Sequence, residues 1–208
     1  MSESQAARAL TALDELTRRL RSECPWDREQ DERSIVPHTV EEAYELADAA
    51  NHGDDAKLLD ELGDVLFQVM FLSLLLEERG AGSLAEVAEH CRQKLIRRHP
   101  HIFGDTEVAD AAEVLRNWDQ IKATEAGREQ GVFGEVPENL PALLYARKLQ
   151  RRAASAGHHP PADTRRGDEE CFRRIGERLF ALVDEARRLQ VDPELALRAA
   201  AQRFREEI

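Results

Sequence analysis

Apolar positions along the chain recur with the period of helices. Over residues 4–22, Leu10, Leu13, Leu16 and Leu20 share one stripe and charged residues take the remaining positions, the signature of an amphipathic helix. That helix is expected to stop before CPWD at 24–27, because Pro25 disfavours helical geometry in Cys24. A second helix is predicted from Thr39, which with Glu42 makes a T-x-x-E capping box, to near Gly53. A third spans about Asp54 to Arg79 and is closed by Gly80. Its run VLFQVMFLSLLL at 65–76 is too short to cross a bilayer and carries Gln68 and Ser73. Burial on nearly every side is predicted for it, inside a bundle or at a subunit contact.

Ser83 with Glu86 opens a fourth helix, which Pro100 ends near Arg98, and Asp110 with Glu113 opens a fifth that holds VLRNWDQIK. The stretch TEAGREQGVFGEVPENLP then reads as a joint. Beyond it, helices are predicted over about 141–156 and 168–189, and a last one begins with Asp192 as N-cap and Pro193 as its first residue. ELGDVLFQV at 61–69 is echoed by RIGERLFALV at 174–183, the sign of a duplicated helical unit. In the second copy the acidic pair has become Arg174 and Glu177, and no EExxE precedes it. Two regions are expected: a catalytic one over residues 1–130, and a linker with a shortened, degenerate second helical region over 131–208.

Composition sharpens this into an all-α expectation, a helical bundle: Ala, Leu, Glu and Arg dominate and aromatics are 5%. The length of 208 residues suffices for one sizeable core or two small ones. A net charge of −12 argues against a nucleic-acid polymer or an anionic membrane as partner, since both reward a basic face. Cys24, Cys91 and Cys171 are widely spaced and fit neither a disulfide framework nor a zinc site, so a reducing cytoplasm is expected. MSESQAARAL lacks the order of a signal peptide.

Candidate chemistry concentrates in EEAYE at 41–45 and ELGD at 61–64. Glu42 and Glu45 are three apart on one predicted helix, and Glu61 and Asp64 three apart on the next. Each pair therefore projects from a single face. A short loop at Gly53 lets the two helices pack antiparallel and brings the faces together. Two unit charges about 4 Å apart repel by roughly 4 kcal/mol at an effective dielectric near 20, so a positive partner is required. Mg²⁺, or Mn²⁺ in its place, suits an all-oxygen ligand set. No histidine stands three positions after these glutamates, which removes the Glu-x-x-His pattern of di-iron bundles. The plainer reading has Glu41 and Glu42 serving the dipole and cap of a helix's first turn, with Glu61 a solvated surface charge. Asp64 favours the metal, because it sits among Leu62, Val65, Leu66 and Val69 in the helix expected to be most buried.

CPWD at 24–27, EEAYE at 41–45, ELGD at 61–64, KLIRRHPHIF at 94–103 and NWDQIK at 117–122 together resemble the MazG nucleoside triphosphate pyrophosphohydrolases, in the same order, over about residues 8 to 125. From GVFGEVPENLPALLYARKLQRRAA onward the chain resembles that family's linker and second MazG domain, shortened and without its acidic quartet. The resemblance implies an all-α fold in which pairs of subunits build helical bundles, hence a homodimer or higher homo-oligomer. It also implies a Mg²⁺-requiring reaction in which water converts a nucleoside triphosphate to the monophosphate and pyrophosphate. Carried over by residue, Glu42, Glu45, Glu61 and Asp64 match the metal ligands. Lys57, Lys94 and Arg98 match phosphate contacts and Trp118, with Asn117 beside it, a position near the base. His38 and Asp60 lie in matching nucleotide-contact segments.

Lys94, Arg97 and Arg98 would add a local cationic clamp on the triphosphate. Glu41 is the nearest spare carboxylate and is the candidate general base for attack on the α-phosphorus. The plainer reading of KLIRR is the solvated basic end of a helix, with phosphate binding preferred to it. His99 and His101 are expected to pack in the turn around Pro100, Trp118 either to stack on a base or to fill the core, and Trp26 to pack under the first helix. Two rival readings stand beside this one: a narrow-specificity dNTP pyrophosphatase akin to dUTPases and dCTP pyrophosphatases, and a catalytically silent helical interaction protein.

Overall fold

The computed structural model describes residues 4–125, 131–134, 136–160 and 167–208. Within the joint, residues 126–130 and 135 lie outside the described residues. Among the described residues every regular element is a helix, as the all-α reading requires. No helix among the described residues is long and apolar enough to cross a membrane. The chain divides into two compact units, residues 1–93 and 94–208.

In the first unit, α1 (Gln5–Glu23) is capped by Ser4, whose hydroxyl accepts from the Ala7 amide. The short α2 (Pro25–Glu29) follows at once, with Pro at its first position. CPWD is thus a helix start and not merely a stop, since a proline that cannot continue one helix suits the first turn of the next. Next come α3 (Glu32–His52) and α4 (Asp55–Glu78). Gly53 joins them in the left-handed conformation, φ 67°, which glycine adopts without strain.

The start of α3 departs from the predicted Thr39. Asp31 is the cap, its carboxylate accepting from the Ser34 amide while the Ser34 hydroxyl accepts from the Asp31 amide. A reciprocal box with serine in the third position satisfies two otherwise orphaned donors and leaves Thr39 inside the helix, bonded to the Ile35 carbonyl at 3.3 Å. Pro37 is accommodated within the helix.

Ile35, Phe71 and Leu75 form the core between α3 and α4, with Phe67 and Leu72 packed against it. Arg21 ties α1 to both neighbours. Its Nε and Nη2 donate to the Glu78 carboxylate, each at 2.8 Å, its Nη1 donates to the Asp27 and Gln30 carbonyls, and its guanidinium lies 5.9 Å from the centre of the Phe71 ring. Trp26 does not pack under α1: it is 52% exposed, with its ring edge-on to His38. The expectation for 65–76 holds only in part. Met70, Phe71, Ser73, Leu74 and Leu75 are buried, but Leu59, Leu62, Leu66 and Val69 form a stripe open to solvent.

The fourth predicted helix is α5 (Leu84–Arg97), where the Ser83 hydroxyl bonds both the amide and the carboxylate of Glu86. The division between units falls within it. One turn, α6 (Pro100–Phe103), follows, again begun by proline, and then α7 (Ala111–Thr124), capped by Asp110. The remaining helices are α8 (Ala142–Ser155), α9 (Glu169–Arg188) and α10 (Pro193–Glu206), the last with Asp192 as cap. Phe133, Val136, Tyr145, Leu149, Ala153 and Ala201 form the second core, centred on α8 and α10. In α9, Phe172, Ile175, Leu179 and Val183 are exposed at helical spacing.

The position of the α3 cap is testable by chemical denaturation. Asp31→Ala is expected to cost about 1 kcal/mol of stability, the usual worth of an N-cap. Thr39→Ala should stay within about 0.5 kcal/mol. A larger loss at Thr39 than at Asp31 would return the helix start to Thr39.

Candidate metal centre on the paired helices

Because α3 and α4 run antiparallel from the Gly53 turn, residues on facing stripes meet in order: Lys57 reaches Asp48, Glu61 lies beside Glu45, and Phe71 packs on Ile35. The two acidic motifs therefore converge midway along the pair. One carboxylate oxygen from each of Glu42, Glu45 and Glu61 lies within 4.8 Å of the others. Glu61 is the buried member at 6% exposure, Glu42 is half-buried and Glu45 exposed. The expected burial of Asp64 is not observed: Asp64 is exposed, as is Leu62 beside it. The period of the helix explains the exchange, since the face of α4 turned toward α3 carries Glu61, Gln68 and Phe71, whereas Leu62 and Leu66 point outward.

The electrostatics follow from this crowding. The Glu42 carboxyl is held above its ordinary value by loss of solvent, then by the charges of Asp64, Glu45, Glu61 and Glu41. Glu61 is raised in the same way, first by desolvation and then by Glu45, with Asp64 and Asp60 adding to the effect and Lys57 opposing it. Asp64 thus belongs to the field of the cluster, although it stands outside its tightest group. The Lys57 ammonium is pushed up by its hydrogen bond to Asp48 at 3.1 Å, which keeps a cation beside Glu61 and Glu45.

One observation tests whether a cation fits. Oε2 of Glu61 is buried and has no hydrogen-bond partner. A buried carboxylate oxygen beside two further carboxylates is costly without a positive partner, and an all-oxygen donor set is the kind that hard divalent cations take. Glu42, Glu45 and Glu61, with Asp64 adjoining, therefore fit such an ion.

Alongside the cluster, an open depression of about 610 Å³ is lined by Asp54, Ala56, Lys57, Leu59, Asp60, Gly63 and Asp64. Gly63 borders it, and a Cβ there would meet nothing within 4 Å. Two contributors escaped sequence reasoning. The signal for Gly63 was present in the repeated glycine of ELGD and RIGE; Asp48, which holds Lys57, carried none. Glu41 and His38 are exposed neighbours, with His38 Nδ1 3.7 Å from Glu41 Oε2.

The other expected nucleotide contacts lie in the second unit. Lys94 is half-buried and Arg97 exposed near the end of α5. Arg98 is buried, its guanidinium held by Glu125 through Nε to Oε1 at 2.9 Å and Nη2 to Oε2 at 2.5 Å. It also lies 5.2 Å from the centre of the Trp118 ring, and His99 meets that ring edge-on at 5.0 Å. Trp118 and Asn117 are half-buried on α7. His99 Nδ1 donates to the Leu95 carbonyl at 2.6 Å, the turn packing expected of it. The next residue of NWDQIK, Asp119, is tied to α8 through Ser155 and Arg151. In the sequence echo of ELGD on α9, Glu177 takes the position of Asp64 and pairs with Arg173 on the same helix.

Comparison with known proteins agrees with this geometry. The family model described as the MazG nucleotide pyrophosphohydrolase domain matches residues 30–103, the span that holds both acidic motifs. The chain is 35% identical over 223 aligned residues to a nucleoside triphosphate pyrophosphohydrolase of Escherichia coli K12, covering 97% of this chain and 84% of that protein. It is 37% identical over 197 residues to the nucleoside triphosphate pyrophosphohydrolase/pyrophosphatase MazG of Thermotoga maritima, covering 87% and 76%. A third relative, a nucleoside triphosphate pyrophosphohydrolase of Mycobacterium tuberculosis, is 32% identical over 157 residues, covering 74% of this chain and 48% of that protein. With both acidic motifs in place and similarity running nearly end to end, this chain belongs to the MazG nucleotide pyrophosphohydrolase family.

Proposed function

We propose that the protein is a Mg²⁺-dependent nucleoside triphosphate pyrophosphohydrolase that releases the nucleoside monophosphate and pyrophosphate. The observation that carries this reading is the partnerless, buried Oε2 of Glu61 within a cluster of three carboxylates. Family membership supplies the reaction class.

Glu42, Glu45, Glu61 and Asp64 would hold the cation, which when bound offsets phosphate charge and polarises the P–O bonds. The chain's own groups supply the rest. Lys57, fixed by Asp48, keeps a positive charge on the phosphate side of α4. Glu41 accepts the proton of the attacking water as its oxygen bonds to the α-phosphorus. The bond from that phosphorus to the bridging oxygen breaks and pyrophosphate departs. His38, 3.7 Å from Glu41, orients that carboxylate. Asp60 and Gly63 border the depression in which part of the nucleotide would lie. Lys94, Arg98 and Trp118, with Asn117 beside it, are proposed as further nucleotide contacts on the strength of the resemblance, and Arg97 for the charge it adds next to them.

We place catalysis in residues 1–130 and a supporting role in 131–208, whose copy of the acidic pair reads Arg174 and Glu177. The exposed stripes of α4 and α9 support self-association as a homodimer or higher homo-oligomer. Clearing unwanted triphosphates from a cytoplasmic nucleotide pool is the role that suits this chemistry.

Incubation with Mg²⁺ and a panel of ribo- and deoxyribonucleoside triphosphates is expected to yield monophosphate and pyrophosphate, and EDTA to stop it. Diphosphate with orthophosphate would instead mean attack at a different phosphorus.

Glu61→Gln should lower kcat by about 10³-fold or more, in line with loss of an electrostatic group at the reacting centre. It should also change the metal-free protein. Because the folded state raises the Glu61 carboxyl, the ionised form is the destabilising one, and stability falls as pH rises upward from the ordinary glutamate value of 4.5. Removing that charge is expected to raise Tm by a few degrees at neutral pH and by less at pH 4. Mg²⁺ should then stabilise the wild type but not the variant. A metal-free Tm that drops at neutral pH in Glu61→Gln would contradict the crowding.

Glu41→Gln is expected to cut kcat by about 10²-fold, within the usual worth of a general base. Mg²⁺-dependent stabilisation should persist. Unchanged turnover removes Glu41 from the mechanism.

A further inference from the structure

Two buried oxygens on α4 have no hydrogen-bond partner: Oε2 of Glu61 and Oε1 of Gln68. The first belongs to the carboxylate cluster, and the second lies outside it. Gln68 is 7% exposed. The hydroxyls buried or half-buried on the neighbouring helices do not serve it, because Thr17, Thr39 and Ser73 donate to the carbonyls of Leu13, Ile35 and Val69, each four positions back on its own helix. An amide oxygen buried without a donor disfavours folding. Beside an acidic site, it calls for a donor that arrives with a ligand.

The register of α3 against α4 gives Gln68 its place. Glu61 lies beside Glu45 and Phe71 packs on Ile35, so the positions between them bring Asp64 level with Glu42, and Gln68 level with His38 and Thr39. Asp64 is the first of the charges that raise the Glu42 carboxyl, after loss of solvent, as that pairing requires. Gln68 therefore occupies the layer between the acidic cluster and the apolar clasp. Helical side chains lean toward the N-terminus of their own helix. In an antiparallel pair this carries the Gln68 amide toward Asp64 and the Glu42 carboxylate toward Gln68. Glu61 and Gln68 are seven residues apart, about 10 Å along the helix axis, with the layer of Glu42 and Asp64 between them.

The chemistry of a hard cation supplies the donor. Mg²⁺ and Mn²⁺ keep waters when carboxylates hold them, and the polarised hydrogens of those waters need acceptors. A neutral amide provides one without a further negative charge. A carboxylate in its place would add to the crowding that already raises Glu42 and Glu61. The spacing from Glu61 suits contact through one water better than a shared direct bond.

We propose that Gln68 is a positioning residue of the metal centre, its buried Oε1 accepting a hydrogen bond from a water in the cation's shell beside Glu42 and Asp64. This deepens the pyrophosphohydrolase reading, and it rests on the metal site of that reading and not on the reaction.

The experiment uses the full chain and Mn²⁺, whose free ion is counted by electron paramagnetic resonance, with nucleotide absent. Gln68→Met keeps the length of the side chain and removes the acceptor. It is expected to weaken Mn²⁺ binding about tenfold, within the usual range for a residue that supports metal ligands. Its metal-free Tm should stay level or rise, since a buried polar group without a partner is gone. With nucleotide present, the Mg²⁺ concentration that gives half the maximal rate should rise about tenfold, while kcat at saturating Mg²⁺ stays within about threefold. Gln68→Glu keeps an acceptor and adds a charge. It should hold the Mn²⁺ affinity at or above that of the wild type and lower the metal-free Tm.

Unchanged Mn²⁺ affinity in Gln68→Met, whatever its Tm, is the result of a packing role alone and overturns the proposal. Where Gln68→Met does not fold, Gln68→Glu decides, and an affinity about tenfold below that of the wild type is the overturning result. A wild type that binds no Mn²⁺ overturns the proposal together with the metal site. A wild type that binds Mn²⁺ but hydrolyses no triphosphate sinks the reaction instead, and the Gln68 variants still decide the part played by the amide.

Discussion

Everything at the candidate metal centre depends on the antiparallel register of α3 against α4. A helix pair alone would not hold Glu42, Glu45 and Glu61 together, since the carboxylates repel and raise one another's proton affinity. The register is imposed from both ends. On the Gly53 side, the left-handed turn and the Lys57–Asp48 ion pair set the helices face to face; on the other, Ile35 is clasped by Phe71 and Leu75. The apolar clasp lies well away from the acidic cluster along the pair. Burial there offsets repulsion that the cluster itself cannot relieve. The result is a crowded acidic apposition that the fold maintains and that a cation would relax.

Arg21 extends the same logic outward. A single guanidinium satisfies the carboxylate of Glu78 on α4 and two backbone carbonyls around α2, over the face of the Phe71 ring that helps clasp α3. Removing it would take donors from Glu78 and the Gln30 carbonyl, leave the Asp27 carbonyl with the Gln30 amide alone, and loosen the clasp as well. Arg98 plays the analogous part in the second unit, joined to Glu125 and Trp118. In both cases arginine serves where planar, two-donor geometry and an aromatic face are needed together, a combination lysine cannot supply.

The legibility of these features in the sequence followed their range. Helix termini set by local chemistry were readable: Ser83 with Glu86, Asp110 with Glu113, Asp192 with Pro193 and Gly53 all stand where their side chains or backbone freedom place them. Thr39 misled because a capping pattern also occurs by chance inside helices, and the box that operates uses Ser34 in a role more often taken by glutamate. The two short helices at Pro25 and Pro100 were missed because proline ends one helix and begins another with the same ring. The convergence of EEAYE and ELGD was visible because spacing of three on consecutive helices is itself geometry. Which carboxylate is buried was not, because it depends on how α4 is rotated against α3. The pairings of Arg98 with Glu125 and of Arg21 with Glu78 span 27 and 57 positions, and no local pattern announces them.

The sequence echo of α4 in α9 sets the acidic pair of α4 apart from the helical frame that carries it. α9 retains the apolar spacing of α4 but carries Arg174 and Glu177 where α4 has Glu61 and Asp64, and its Glu177 is neutralised within the same helix by Arg173. No acidic motif precedes α9 in the sequence as EEAYE precedes ELGD. The same helical frame thus occurs in two electrostatic states along one chain. In α4 the unmatched charge is retained, although it raises the proton affinity of two glutamates and leaves a buried oxygen without a donor. Crowded carboxylates with a buried oxygen left without a donor are the pattern expected of a functional site more than of bundle architecture.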